Sequence, residues 1–127
     1  MTMKCIYAIP RETAAAVRNL CSEYSDALAS YSDSVVAKSD ELREVVENSG
    51  GPVLELDNDD WAVAQESVSF SGAGNLIALL GEIFWAADDA KSLATALKTG
   101  TEPASQSVAH WLLTQVSRGR SFVLLSR

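Results

Sequence analysis

Within this 127-residue chain, the groups best placed for chemistry stand together in 53-VLELDNDDW-61, where Glu55, Asp57, Asp59 and Asp60 run into Trp61 with no basic residue close by in the sequence. Clustered carboxylates can hold a metal ion, exchange protons in a cleft, or attract a cationic surface. Asp57, Asp59 and Asp60 begin like a calcium loop. Such a loop needs glycine at its sixth position and glutamate at its twelfth, and counted from Asp57 those positions hold Ala62 and Val68. Metal or ligand binding through the three aspartates therefore stays open only as a secondary reading. Trp61 has two readings, a core aromatic or an interface anchor ringed by charge.

Other reactive groups are sparse. His110 is the one histidine and has no acidic neighbour at helical spacing, so neither a metal cluster nor a proton relay is encoded around it. Pairing Cys5 or Cys21 with His110 as a nucleophilic couple has no support in the local sequence. The segment 71-SGAGN-75 lacks the lysine and the glycine spacing of a phosphate-binding loop and reads as a helix entry. The expectation is a protein that is not an enzyme, with no metal and no cofactor.

The elements that must position these residues follow from period and punctuation. MKCIYAI (3–9) alternates, is rich in strand formers and stops at Pro10, which predicts a strand. Val17, Leu20, Cys21, Tyr24 and Leu28 recur at helical spacing, predicting a helix from Arg11 to Ala29, then a joint at 30-SYSDS-34. A second helix is expected within 34–48, with a break near Ser39 and Asp40, and 48-NSGGP-52 is a strong stop. Val53 to Leu56 reads as a short strand or an extended lead-in, with Asp57 or Asn58 capping a helix whose first turn holds Asp59 and Asp60. The run 75-NLIALLGEIFWAA-87 is apolar on nearly every face and predicts a central buried helix, with Gly81 marking close approach by another element. A helix opened by Asp88 or Asp89 and closed by Gly100, a last helix from Ala104 to Ser117, and a strand at 121-SFVLLS-126 complete the chain.

A first and a last strand in a mostly helical chain have few partners but each other. The fold class expected is α+β, a single domain over 1–127 with a small sheet pairing the terminal strands beneath helices. Cys5 and Cys21 fall on the buried strand and the apolar helix face and read as reduced core residues. The N-terminus lacks the pattern of a secretory signal and no apolar run nears the ~20 residues of a spanning helix, so a cytoplasmic location away from membranes is expected.

The net charge of −7 is unevenly distributed. Residues 44–90 hold ten carboxylates and no lysine or arginine, while 91–127 hold five basic residues and only Glu102. Helix capping explains where several aspartates stand, and a solvated face that aids solubility is the bland account of the rest. The functional account is a face that meets a basic surface. Nucleic acid itself is disfavoured as a partner, since phosphate contacts need Lys and Arg. Arg118, Arg120 and Arg127 are too few for a binding stripe and suit the dipole of the last helix and carboxylates within the fold.

The layout of an opening strand, 54-LELDNDDW-61, a Leu/Gly-rich helix and a final helix running through 118-RGR-120 into a terminal strand resembles the YfbM-like family of uncharacterised bacterial proteins. Leu56, Asp57 and Trp61 match most closely. Two extra residues stand before the tryptophan here, and Ala62-Val63-Ala64-Gln65 replaces a histidine-containing helix. The resemblance implies an α+β fold and no activity.

Together these features point to a small acidic inhibitor or immunity-type protein, bacterial or phage-encoded. It would cover a basic surface of a toxin, nuclease or nucleic-acid-binding defence complex through Glu55, Asp57, Asp59, Asp60 and Trp61. A structural or homodimeric accessory domain is the alternative, in which the acidity serves solubility alone.

Overall fold

The computed structural model describes residues 3–49, 51–70 and 74–126. Its elements run β1 (Met3–Ile9), α1 (Ala14–Ala29), α2 (Val35–Asn48), β2 (Val53–Asp57), α3 (Asn58–Phe70), α4 (Gly74–Leu80), β3 (Phe84–Trp85), α5 (Ala87–Lys98), α6 (Pro103–Val116) and β4 (Ser121–Ser126). The strands form one antiparallel sheet in the order β2-β1-β4-β3. The terminal strands pair as expected, Lys4 opposite Ser126 through Ile9 opposite Ser121. The α+β class is established.

Both faces of the sheet are covered, which explains why β1 reads as an almost unbroken apolar run. Side chains alternate across a strand. Cys5, Tyr7 and Ile9 pack with Val17 and Cys21 of α1 and Leu42 and Val46 of α2. Ile6 and Ala8 point the other way, into a larger core with Trp61, Leu80, Leu93, Leu97, Leu112 and Phe122 from α3 to β4. Full burial of an aliphatic side chain stabilises by roughly 1.5–3 kcal/mol, so β1, serving both cores, is the element whose loss would cost most.

The expected helix over 75–87 forms only in its first part. α4 ends at Leu80, the Gly81 and Glu82 amides donate to Ala78 and Leu79 carbonyls (3.1 and 3.0 Å), and the chain turns into β3. Leu124 N–H donates to the Ile83 carbonyl (2.8 Å) and Trp85 Nε1–H to the Leu79 carbonyl (2.6 Å), so the aromatic pair is recruited to the sheet edge. Gly81 is exposed, and a Cβ there would lie 3.5 Å from its nearest neighbour, the Ala78 oxygen, so it ends a helix rather than admitting a close approach. Continuous apolar character cannot by itself separate a buried helix from a buried strand.

Smaller differences have local causes. α1 opens three residues later than expected because Thr13 N–H donates to the Pro10 carbonyl (3.1 Å), forming a turn first. α2 runs unbroken through Ser39 and Asp40. α5 is preceded by Ala86, with Asp88 and Asp89 in its first turn, where their charge meets the helix dipole without a side-chain cap. Residues 71–73 of the glycine-rich segment lie outside the described residues. Among those described, no helix is long and apolar enough to cross a membrane.

Candidate functional site

Edge strand β2 delivers the acidic group to one corner of the sheet. Met3 stands opposite Asp57, Lys4 opposite Leu56 and Cys5 opposite Glu55, so Leu56 turns into the core while Glu55 and Asp57 are exposed. The Asp57 carboxylate accepts the Asp60 amide (2.8 Å), an N-terminal cap of the kind that contributes about 1 kcal/mol. Asp59 is exposed and Asp60 partly buried in the first turn of α3. Three of the four carboxylates thus sit at a helix start, where the dipole and cap favour them without an ion pair.

Trp61 is placed differently from an exposed anchor. It is 8% exposed and packs in the larger core, and the Lys4 ammonium lies 5.9 Å from its ring centroid. The tryptophan fastens α3 to the sheet under the acidic corner rather than projecting from it. Lys4, distant in sequence, reaches this corner only through strand pairing, and its Nζ also donates to Ser126 Oγ (2.9 Å).

The ten carboxylates of residues 44–90 do not make one face. β2 and β3 are opposite edges of the sheet, three strand spacings or about 14 Å apart. Asp57 lies level with Met3, whereas Trp85, two residues before α5, lies level with Phe122 and hence Ala8, about 17 Å further along the strands. Asp88 and Asp89 therefore occupy the diagonally opposite corner from Asp57, Asp59 and Asp60. Along the β3 edge, Asp89 and Glu82 line a hollow of about 300 Å³ together with Arg18, whose guanidinium lies 5.9 Å from the Phe84 ring centroid. Part of the acidic block thus has a cation beside it, contributed by the N-terminal third of the chain.

Asp57, Asp59 and Asp60 have no such cation paired to them. Among the described residues, ion pairs within 4 Å join Lys38 to Glu23 (3.4 Å) and to Glu41 (3.9 Å), and none involves Asp57, Asp59 or Asp60. Nor do any three His, Cys, Asp or Glu side chains among the described residues come together closely enough to hold a metal ion.

The remaining reactive groups are kept apart by the sheet. Cys5 and Cys21 are buried on the α1–α2 side and joined in no disulfide, whereas His110 is exposed on α6, which packs on the other face. A thiol–imidazole couple cannot form across it. Arg120 donates to the Gln115 side chain, bracing the end of α6.

No family model, curated protein or solved structure matches this chain.

Proposed function

We propose that this protein is a small acidic inhibitor of the immunity type that binds and blocks a basic surface on a partner protein, a toxin, a nuclease or a nucleic-acid-binding complex. The observation that carries the reading is the β2–α3 corner, where Asp57, Asp59 and Asp60 gather beside Glu55 without an ion pair to Asp57, Asp59 or Asp60. Aligned carboxylates on a rigid strand end and helix start accelerate association with a cationic surface and make it sensitive to salt. The buried Trp61 supports this by holding the helix start in place. Docking is electrostatic at the rim and steric in its effect.

The test compares two variants of equal charge change. Glu55→Gln/Asp59→Asn/Asp60→Asn removes three charges from the corner and leaves the Asp57 cap intact. Glu82→Gln/Asp88→Asn/Asp89→Asn removes three elsewhere. Capture of a basic protein from the native host should weaken at least tenfold for the first variant, lose most of its salt dependence, and stay close to wild type for the second. Equal behaviour of the two variants would remove the reading, because net charge alone would then account for any capture.

A further inference from the structure

Among the described residues, Tyr31 is the most exposed large apolar side chain, at 93%, and it also has the only positive φ of a non-glycine residue, 52°. It follows α1. Ser32 N–H donates to the Ala27 carbonyl (3.0 Å) and Tyr31 N–H to the Leu28 carbonyl (3.3 Å), the paired bonds that close a helix through one left-handed residue. α6 closes in the same way, with Arg120 N–H to the Gln115 carbonyl (3.3 Å), Gly119 N–H to the Val116 carbonyl (2.9 Å) and Gly119 at φ 73°.

The contrast between the two closures is informative. Glycine takes the left-handed position without a Cβ penalty, whereas tyrosine sacrifices stability there. The ring recovers little from its own fold, being almost wholly in water. Strain held by an exposed aromatic is accounted for by a contact outside the chain. Leu28 at 45% and Val36 at 70% exposure lie three residues before it and five after it in sequence, so the segment joining α1 to α2 carries three exposed apolar side chains.

We infer that the Tyr31 turn is a docking knob, inserted into an apolar recess edged by Lys or Arg on a partner protein. Charge selects the occupant. Asp26 and Asp33 are exposed on either side of Tyr31, and Lys38, the closest cation in sequence, is engaged by Glu23 and Glu41. Arg43 and Lys4 are directed at Ser126, donating to its carbonyl and hydroxyl (2.9 Å each). A second copy of the turn would bring its own aspartates against these, and an anionic lipid surface would repel them too. A basic recess complements them, and tyrosine is among the side chains that most often dominate binding energy.

The knob also faces a useful direction. α1 descends from the Ile9 end of the sheet, and Leu28 near its close lines a hollow with Lys4 and Ser126 at the Met3 end, the end that carries Asp57. The knob and the acidic corner thus look out from the same end of the molecule. The inference stands on the strain and exposure of Tyr31 and holds even if that corner is idle.

Two measurements on the full chain test it. In urea unfolding, Tyr31→Gly should raise the folded-to-unfolded ratio roughly three- to tenfold, and Tyr31→Phe should leave it unchanged. With p-benzoylphenylalanine at position 31, irradiation in the source cells should give an adduct with a basic protein, competed by excess wild type or Tyr31→Phe but not by Tyr31→Gly. A Tyr31→Gly chain no more stable than wild type would show that the ring works within its own fold. An adduct with a second copy or with lipid, or one that Tyr31→Gly competes away equally well, would overturn the assignment of the partner.

Discussion

Cys21 shows how burial sets chemistry for a single side chain. Its thiol is 4% exposed, and desolvation pushes its pKa from the usual 9.0 up to about 12. At pH 8 the native chain should therefore resist iodoacetamide, and Cys21 should label only once urea opens the fold, as mass spectrometry of the tryptic peptides will show. The folded chain holds this proton more tightly than the unfolded one, so the associated stability is complete below about pH 9 and declines as pH climbs toward 12. The buried, reduced character of Cys21 was legible from its place in the α1 pattern. At Trp61 residue type was less decisive, since an indole beside four carboxylates fits a core or an interface, and only the register of α3 against the sheet turned it inward. Tyr31 carries no such mark, since nothing in SYSDS singles out the one residue that adopts a positive φ.

At the scale of elements, strands and helices were legible wherever period and punctuation agreed. Met3–Ile9, Val53–Asp57 and Ser121–Ser126 are bounded by proline, glycine or a capping aspartate, and all three are strands. The helix expected over 75–87 stops short for a physical reason, because a segment apolar on nearly every face carries no periodicity to read, and hydrogen bonds from Leu124 and Trp85 decided its shape. The stop at 48–52 also proved to be more than punctuation. A Cβ on Gly51 would overlap the Ala8 carbonyl oxygen, which lies beside the Ala8 N–H that donates to Pro52 (2.9 Å). Gly51→Ala must therefore push the lead-in to β2 away from the central strand. It should cost about 2 kcal/mol or more, read as a lower urea midpoint at unchanged slope.

For the whole molecule, the net charge of −7 is a matter of distribution more than of amount. Two partly exposed ion pairs on Lys38 contribute little, typically 0–1 kcal/mol each. Repulsion among unpaired carboxylates should outweigh them. Raising sodium chloride from roughly 20 to 300 mM, which shortens the Debye length from about 20 Å to about 6 Å, should accordingly raise the thermal midpoint by a few degrees in a calorimetric scan, whereas a fall would show that ion pairing dominates.

What the sequence determined by itself is the class of molecule, an α+β chain whose first and last strands must find each other, and the presence of a lysine-free acidic stretch. Composition and periodicity are local properties and survive without coordinates. What only the tertiary structure decided is adjacency. The strand order sends Asp57, Asp59 and Asp60 to one corner and Asp88 and Asp89 to the diagonal opposite, and it brings Lys4 to Trp61 and Arg18 to the hollow that Glu82 and Asp89 line. Long-range pairing sets which charges share a surface, and electrostatic interaction depends on distance in space rather than along the chain.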